Sequence, residues 1–368
     1  MKRFTLSMPV RYIINTTLII SLLLVGNQIV GSGILGRAQT SIIIQVGFFI
    51  ILAVSLNMVT GYLGQLPLGH AGFMAVGAYA GALFWRAQLL PGMASVAGGL
   101  LVAGVAAAIT GVIIGVPALR LRGDYLAIIT LGFGEIIRVV LNNLDGGITL
   151  GSGENALVVF NTYGARGLLN IPRYSSFMVV YICVIVTCIA IHMIMKSRHG
   201  RAILSIRENE IAAESCGINT TYYKVLTFAV SAFFAGVAGA LFAGNIGMLT
   251  PANFDFMRSI EILMIVVLGG LGSMLGSIIA AAVLTMQPLL LQPLNEYRLI
   301  IFAFLLIVVM IFKPSGLMGN YDFSMSRIIE KIVNREYSPR AWLLRRKEAI
   351  TKFLNWRQER PGRHKHGE

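Results

Sequence analysis

The chain has 368 residues, of which 56% are hydrophobic and only 12% are charged, and its mean hydropathy is +0.76. Soluble proteins carry about 25% charged residues. This composition therefore excludes a disordered chain, a disulfide scaffold and most soluble enzymes, and it indicates a polytopic membrane protein. The net charge is +14, and the tail from Lys313 to Glu368 supplies half of it, with 13 Lys/Arg against 6 Asp/Glu. The other basic residues lie mainly in short segments between apolar runs, which indicates cytoplasmic loops and argues against a nucleic-acid partner.

Membrane segments are predicted where about 20 apolar residues follow one another. The run 259–292 is too long for one helix at about 1.5 Å per residue, and Gly269-Gly270-Leu271-Gly272-Ser273 interrupts it. We interpret it as two short segments that cross twice or enter and return, because this places most Lys and Arg on the cytoplasmic side. The predicted fold is an all-α polytopic membrane protein of about ten membrane segments, with broken or re-entrant pieces and both termini cytoplasmic. The apolar runs are 11–30, 38–60, 71–90, 95–117, 124–142, 174–195, 224–247, 259–292 and 297–312, and residues 143–173 form a longer polar loop.

The two ends of the chain have alternative interpretations. Lys2, Arg3 and Arg11 precede an apolar core, as in a signal peptide, but no A-x-A cleavage site follows, which favours a retained first helix. The C-terminal tail has short apolar pieces interspersed with Arg and Lys. A helix lying on anionic lipid and a solvated tail explain this pattern equally well.

The first motif runs from Gly61 to Phe73 and joins two apolar runs. Its glycines and Pro67 disfavour a continuous helix, so we predict a broken or re-entrant segment. Membranes tolerate such backbone only where protein buries it or a cavity wets it. Gln65 and His70 are the polar side chains here, and free backbone groups beside them would meet a polar substrate. The alternative is an ordinary cytoplasmic turn.

The second motif covers residues 120–138 and opens a span. Asp124 stands where an N-cap belongs, and a carboxylate suits the positive end of a helix, so capping alone would explain it. Glu135 and Arg138 are three residues apart on one helix and are expected to pair. Because ionisable groups in a span face the bundle interior or water, the pair is either a structural ion pair near the outer boundary or part of a substrate path.

The third motif covers residues 200–219, a charged segment between two spans. We predict a short helix in a cytoplasmic loop, ended by Gly217 as its C′ residue. A helix of this length is marginal by itself in water, so it is expected to dock on another protein. A solvated surface loop is the alternative.

The fourth motif runs from Ser259 to Ser273, with Glu261 at the start of a span. Its small residues permit close helix contact or a break. It lacks the Lys-Ser/Thr of a P-loop, and the sequence shows no nucleophile–base pair and no metal-ligand spacing. We therefore predict no catalytic residue, no metal site and no cofactor bound by this chain. The cysteines are interpreted as small apolar residues and not as a disulfide framework; they are Cys183, Cys188 and Cys216.

In the order and spacing of these motifs the chain resembles the LivM-type permease subunits of branched-chain amino acid ABC importers, the high-affinity leucine, isoleucine and valine uptake systems. The resemblance assigns residues 38–319 to the permease membrane domain, 1–37 to an N-terminal helix that is less similar to the family, and 320–368 to a basic cytoplasmic tail. The matching blocks are 64–65, 68–71, Phe73, 77–79, 122–128, 130–138, 206–210, 212–214, 217–219, 260–261, 269–273 and 314–319.

The resemblance implies a multi-pass protein of the bacterial inner membrane that does no bond chemistry. Its partners would be a second homologous permease of the LivH type, two cytoplasmic ATPases that use ATP and Mg²⁺, an extracytoplasmic substrate-binding protein and the lipid bilayer. Closure of the ATPases would move residues 201–217 and rock the permease pair between outward and inward states. The third motif resembles the EAA loop of importer permeases, so the implied ATPase-coupling residues are Arg207, Glu208, Asn209, Glu210, Ala212, Ala213, Glu214 and Gly217.

Candidates for the substrate path combine this resemblance with the polar groups of the spans. A leucine-like zwitterion needs an apolar cavity with a few polar groups for its ammonium and carboxylate, and the ends of broken helices supply such groups. The candidates are Gln65, Gly69, His70, Asp124, Tyr125, Glu135, Arg138 and Glu261.

Several positions depart from the family pattern and leave the cargo open. Pro67 replaces the usual serine, Leu150 replaces a glycine in the outer loop, Glu154 adds a charge there, and Ile211 replaces the usual acid of the coupling loop. The main alternative is a permease for urea or short amides. A rival of another class is an ion-coupled secondary carrier, which would need an ionisable relay in the bundle centre that the spans hardly offer. A membrane enzyme is disfavoured because no acid–base pair is present.

Overall fold

Helices dominate the part of the chain that the computed structural model describes, which is residues 21–290 except 22, 33–35, 89, 120, 122 and 151–156. Residues 23–31 are helical. The apolar run 297–312, the basic tail and most of the run 11–30 lie outside the described residues. The helices that follow are α1 (Arg37–Asn57), α2 (His70–Arg86), α3 (Gly92–Ala118), α4 (Asp124–Asn143), α5 (Phe177–Lys196), α6 (Arg198–Glu208), α7 (Glu210–Ser215), α8 (Thr220–Ile246), α9 (Phe256–Gly269) and α10 (Met274–Leu290).

Five helices among the described residues are long and apolar enough to cross a membrane. They are Ala38–Tyr62, Gly92–Ala118, Tyr125–Asn143, Phe177–Lys196 and Thr220–Ile246. Each has at least 19 residues, which matches a hydrocarbon thickness of about 30 Å. The prediction of a helical, multi-pass membrane protein is confirmed, whereas the number of ten segments and the side on which the termini lie remain predictions.

The predicted interruption of the run 259–292 is present. Helix α9 has 14 residues and α10 has 17, so they are about 21 and 25 Å long and each is shorter than the hydrocarbon layer. Gly270 and Gly272, with φ of 109° and 87°, turn the chain between them. A Cβ atom on Gly269 would lie only 2.6 Å from the backbone of Gly276. The small residues therefore provide both a break and close helix contact.

Helices α1, α2 and α8 form the buried centre of the unit that contains residues 26–290, and α3 packs on it through one face. Small residues let their backbones approach, as is usual where membrane helices pack. A Cβ atom on Gly236 of α8 would lie 2.5 Å from the carbonyl oxygen of Ala103 of α3 and 2.5 Å from the Cβ of Ala107. Phe48 of α1 meets Phe242 of α8 edge-to-face, with ring centroids 5.4 Å apart.

The polar loop 143–173 contains a β-hairpin that the sequence analysis did not predict. Strand β1 (Asp145–Leu150) pairs antiparallel with β2 (Leu157–Tyr163), from Asp145 opposite Tyr163 to Leu150 opposite Leu157, with an irregularity between Ile148 and Thr149. The β-branched and aromatic residues of β2 favour a strand. The outer-loop position Glu154 lies outside the described residues, and nothing is described of the side chain of Leu150.

Two other local predictions need correction. Asp124 is the first residue of α4 and not its N-cap, because Gly123 takes the cap position with a φ of 62° that glycine adopts easily. The charged segment 200–219 forms two helices instead of one. Asn209 separates them, and its side chain caps α7 by accepting a hydrogen bond from the Ala212 amide at 3.1 Å.

The loops define two ends of the bundle. At the hairpin end, the β-hairpin is followed by residues 164–173, where Leu168 bridges to Leu249 and the Ile171 amide donates to the carbonyl of Gly247 at 3.0 Å. At the coupling end, the third motif contacts the first, since Arg207 donates to the carbonyl of Gly61. Gly272 of the turn at 270–273 also lies beside Arg207, so the third motif and this turn lie at the same end of the bundle.

Candidate functional site

Two helices begin inside the bundle instead of at its ends. Gly69, just before α2, packs against Thr130, which lies six residues into α4 and so about 9 Å from the start of that helix. Helix α9 begins nearby, because Ser259 in its first turn accepts a hydrogen bond from the Ala71 amide at 3.1 Å. The positive ends of α2 and α9 therefore meet at depth. The first motif is broken as predicted, because helix stops at Tyr62 and resumes only at His70.

The segment that leads into α2 is held by side chains of its neighbours. The Leu68 amide donates to Thr130 Oγ1 at 3.0 Å, and Ser259 Oγ receives the Ala71 amide. Gly69 is required here, because a Cβ atom would overlap the carbonyl of Thr130. Two of the backbone groups that the sequence analysis left free for a substrate are thus partnered within the chain.

A narrow cleft opens where these elements meet. Its walls are mainly apolar, and its polar groups are Glu135, Asp255 and Ser259. Asp255 also caps α9 through the amide of Arg258 at 3.0 Å. The lining residues are Leu68, Ala71, Gly72, Leu131, Gly134, Glu135, Phe254, Asp255, Phe256 and Ser259. The cleft therefore offers two helix N-termini, two carboxylates and apolar surface.

Two ion pairs lie beside the cleft. Arg138 Nε contacts Glu135 Oε2 at 2.6 Å, which confirms the predicted pair on α4, and Arg258 Nη1 contacts Glu261 Oε2 at 2.7 Å on α9. The Arg258 guanidinium also lies over the ring of Phe49, 5.6 Å from its centroid. Charged groups inside a membrane are costly unless paired or near water, so this region is a functional candidate.

The structure separates the predicted substrate-path residues into groups. Glu135 lines the cleft, Gly69 and Arg138 lie next to lining residues, and Glu261 pairs with Arg258, which is not in the lining. His70, only 2% exposed, points away into the core, where its Nε2 lies 3.1 Å from Ser55 Oγ.

The other three candidates lie away from the cleft lining. Tyr125 is 71% exposed and precedes Glu135 by ten residues, about 15 Å along α4. Asp124 stands beside it at the start of the helix, and nothing is described of its side chain. Gln65 follows the π-helical turn at the coupling end, and its buried Oε1 has no hydrogen-bond partner among the described residues.

The third motif docks on the membrane helices through an apolar face. Ala202, Ile203 and Ile206 of α6 are buried, and Ala213 of α7 is buried as well. Glu210 Oε1 contacts the nearly buried Lys224 Nζ of α8 at 2.6 Å. The alternative of a fully solvated loop is therefore excluded, because one face of this motif packs on the membrane helices of this chain.

The opposite face of this motif is open. Ile211 is 66% exposed, and Arg207, Glu208, Asn209, Ala212 and Glu214 are exposed beside it. Gly217 ends α7 with a φ of 81°, and the Ile218 amide donates back to the carbonyl of Ala213 at 3.1 Å, as predicted for a C′ glycine.

Sequence reasoning missed several residues that organise these sites. Thr130 and Ser259 lay inside quoted motifs, but nothing in the sequence indicated that their hydroxyls would hold the backbone of the first motif. Asn57 was not singled out, although a polar residue near the end of an apolar run was a usable signal. Among the described residues, no group of three His, Cys, Asp or Glu side chains is placed to hold a metal ion.

These features define a class: a multi-pass helical membrane protein with broken helices at its centre, as transport proteins have. The chain belongs to the family described as branched-chain amino acid transport system / permease component, whose model matches residues 38–310. The family prediction is confirmed.

Relatives in enteric bacteria agree with this assignment. The chain is 36% identical over 310 residues to the high-affinity branched-chain amino acid transport system permease protein LivM of Salmonella typhimurium, covering 77% of this chain and 70% of the relative. It is 37% identical over 298 residues to LivM of Escherichia coli, covering 73% of this chain and 67% of the relative. It is 28% identical over 284 residues to the high-affinity branched-chain amino acid transport system permease protein LivH of Escherichia coli, covering 74% of this chain and 91% of the relative. No solved structure matches the chain.

Proposed function

We propose that this chain is the membrane permease subunit of an ATP-driven importer that carries branched-chain amino acids into the cytoplasm across a bacterial inner membrane. The observation that carries the proposal is the meeting of the N-termini of α2 and α9 beside the carboxylate of Glu135. Membership of the permease family supports it.

The cleft has the chemistry that a branched-chain amino acid needs. The positive end of α2 favours the substrate carboxylate, whereas the N-terminus of α9 is already capped by Asp255. Glu135 favours its ammonium group, and Leu68, Leu131, Phe254 and Phe256 offer apolar surface to the branched side chain. In this structure the cleft has room for about one water molecule, far less than the 300–1,000 Å³ or so of typical ligand pockets. It must therefore widen during transport, which agrees with a permease that alternates between states.

The remaining subunits are part of the proposal. Similarity to both LivM and LivH supports a pair of homologous permeases. The exposed face of α7 would dock on cytoplasmic ATPases, which hydrolyse ATP with Mg²⁺, while this chain binds no cofactor. An extracytoplasmic binding protein would deliver substrate at the hairpin end.

Uptake of labelled leucine tests the cargo and the energy source together. In cells that lack redundant systems, deletion of the gene should abolish ATP-dependent uptake, and excess valine should compete where urea does not. Competition by urea would indicate that the substrate is urea or a short amide. Uptake that stops when ion gradients collapse while ATP persists would instead indicate an ion-coupled carrier.

A matched pair of substitutions tests the cleft itself. Glu135→Gln and Glu261→Gln each remove one carboxylate from an i,i+3 pair with arginine, but only Glu135 lines the cleft. We expect Glu135→Gln to lower leucine uptake about tenfold, the size expected for one hydrogen bond to a charged group. Glu261→Gln should cost about twofold, because its carboxylate supports Arg258 without facing the cleft. Equal losses at equal amounts of folded protein would contradict a substrate role for Glu135.

A further inference from the structure

Arg207 joins the third motif to the first. It lies at the end of α6, and its Nη1 donates to the carbonyl oxygen of Gly61 at 2.6 Å. Gly61 belongs to the π-helical turn Met58–Tyr62, which extends α1 and precedes the non-helical segment leading to α2. Carbonyls at a helix C-terminus carry partial negative charge, so a guanidinium is a favourable partner there.

The end of α1, next to Gly61, also contacts the turn between α9 and α10. Asn57, the last residue of α1, accepts a hydrogen bond from the Gly272 amide at 2.9 Å and donates to the carbonyl of Ser273 at 3.0 Å. A Cβ atom on Gly272 would lie 3.3 Å from Arg207 Nη1, and one on Gly64 would lie 3.1 Å from Arg207 Cγ. Both glycines have positive φ, and the two turns contact one side of the Arg207 side chain, which stays exposed on its other side.

We infer that Arg207 is the positioning residue that transmits movement of the ATPase-coupling segment to both helix breaks, at residues 58–69 and 270–273. The inference rests on the proposed function, because it assumes that ATPases move residues 201–217. The two breaks lead directly into α2 and end α9, the helices whose N-termini meet at the cleft. A displacement of α6 would pull on the Gly61 carbonyl and, through Asn57 and Gly272, on the turn that ends α9.

A purely structural role would predict a different result from a transmitting role. If Arg207 only stabilised the C-terminal end of α1, its loss would lower the amount of folded complex. Each complex that still folds would remain fully coupled. A transmitting contact would leave assembly and ATP hydrolysis in place while transport fails. The ratio of leucine transported to ATP hydrolysed separates these cases, because it does not depend on the amount of protein.

The experiment uses the complete complex, both permeases with ATPases and binding protein, in proteoliposomes. Because Arg207 also belongs to the exposed face, the ratio is measured on complexes that still contain both ATPases. In these, Arg207→Gln should lower the transport-to-hydrolysis ratio about tenfold, the effect expected on losing one charge-assisted hydrogen bond. Arg207→Lys, which keeps a single charged donor, should recover part of the ratio. Arg198→Gln, an exposed arginine at the start of the same helix, is the matched control and should leave the ratio unchanged.

An unchanged ratio in Arg207→Gln overturns the inference, and so does an equal fall in Arg198→Gln. If Arg207→Gln does not assemble, Arg207→Lys decides: a lowered ratio supports the inference and a wild-type ratio overturns it. A wild-type complex that hydrolyses ATP without moving leucine would instead contradict the proposed cargo. The two failures are therefore distinguishable.

Discussion

Replacement of Gly72 by alanine tests the close approach of α2 and α4 at the cleft. A Cβ atom at this position would lie 2.9 Å from the Cα of Gly134 and 3.2 Å from Ile137 Cδ1. Non-bonded carbon atoms rest at about 3.5–4.0 Å, so the two backbones must separate by roughly 1 Å. Such overpacking costs about 1–3 kcal/mol. Gly132→Ala is the matched control, since nothing lies within 4 Å of a Cβ atom there and both changes gain the same helix propensity.

The assay is thermal unfolding of the purified protein in detergent, together with leucine uptake. Gly72→Ala should melt up to about 12 °C below Gly132→Ala, from the cost above and the roughly 2–4 °C per kcal/mol of domains of 150–250 residues, which is an upper value for this longer chain. Uptake should fall only in Gly72→Ala, because the added methyl group stands in the lining of the cleft. Equal melting temperatures and equal uptake in the two variants would refute the close helix contact and the placement of the cleft.

Two further predictions concern the third motif. Glu210→Gln should destabilise the protein by about 3–5 kcal/mol, because it leaves the Lys224 ammonium buried without its carboxylate. Lys224→Met should cost less, since Glu210 is 27% exposed and can turn to water while the Lys224 side chain is 5% exposed. A double-mutant cycle by thermal unfolding checks this, and simple additivity would argue against the pair. Ile211→Glu should abolish co-purification of the ATPases with the melting temperature unchanged, because it charges the exposed apolar residue of α7; retained association would remove Ile211 from the docking face.

The sequence predicted the features of this protein that depend on near neighbours along the chain. The apolar runs indicated spans because about 20 apolar residues are needed to cross a membrane. The breaks at 61–69 and 269–273 followed from glycine and proline, which leave few ways to continue a helix. The pairing of Glu135 with Arg138 and the cap at Gly217 also required only helix geometry. The family followed from the order of these local motifs.

Only the tertiary structure decided which distant residues meet. Thr130 and Ser259 hold the start of α2 across separations of 62 and 188 residues, and Arg207 reaches Gly61 across 146. Periodicity cannot indicate such contacts, because they depend on how whole helices pack. The hairpin 145–163 also depends on pairing between two segments, and neither segment by itself strongly indicates a strand. The cleft arises from the same cause, since two helix N-termini form a site only when packing brings them together at depth.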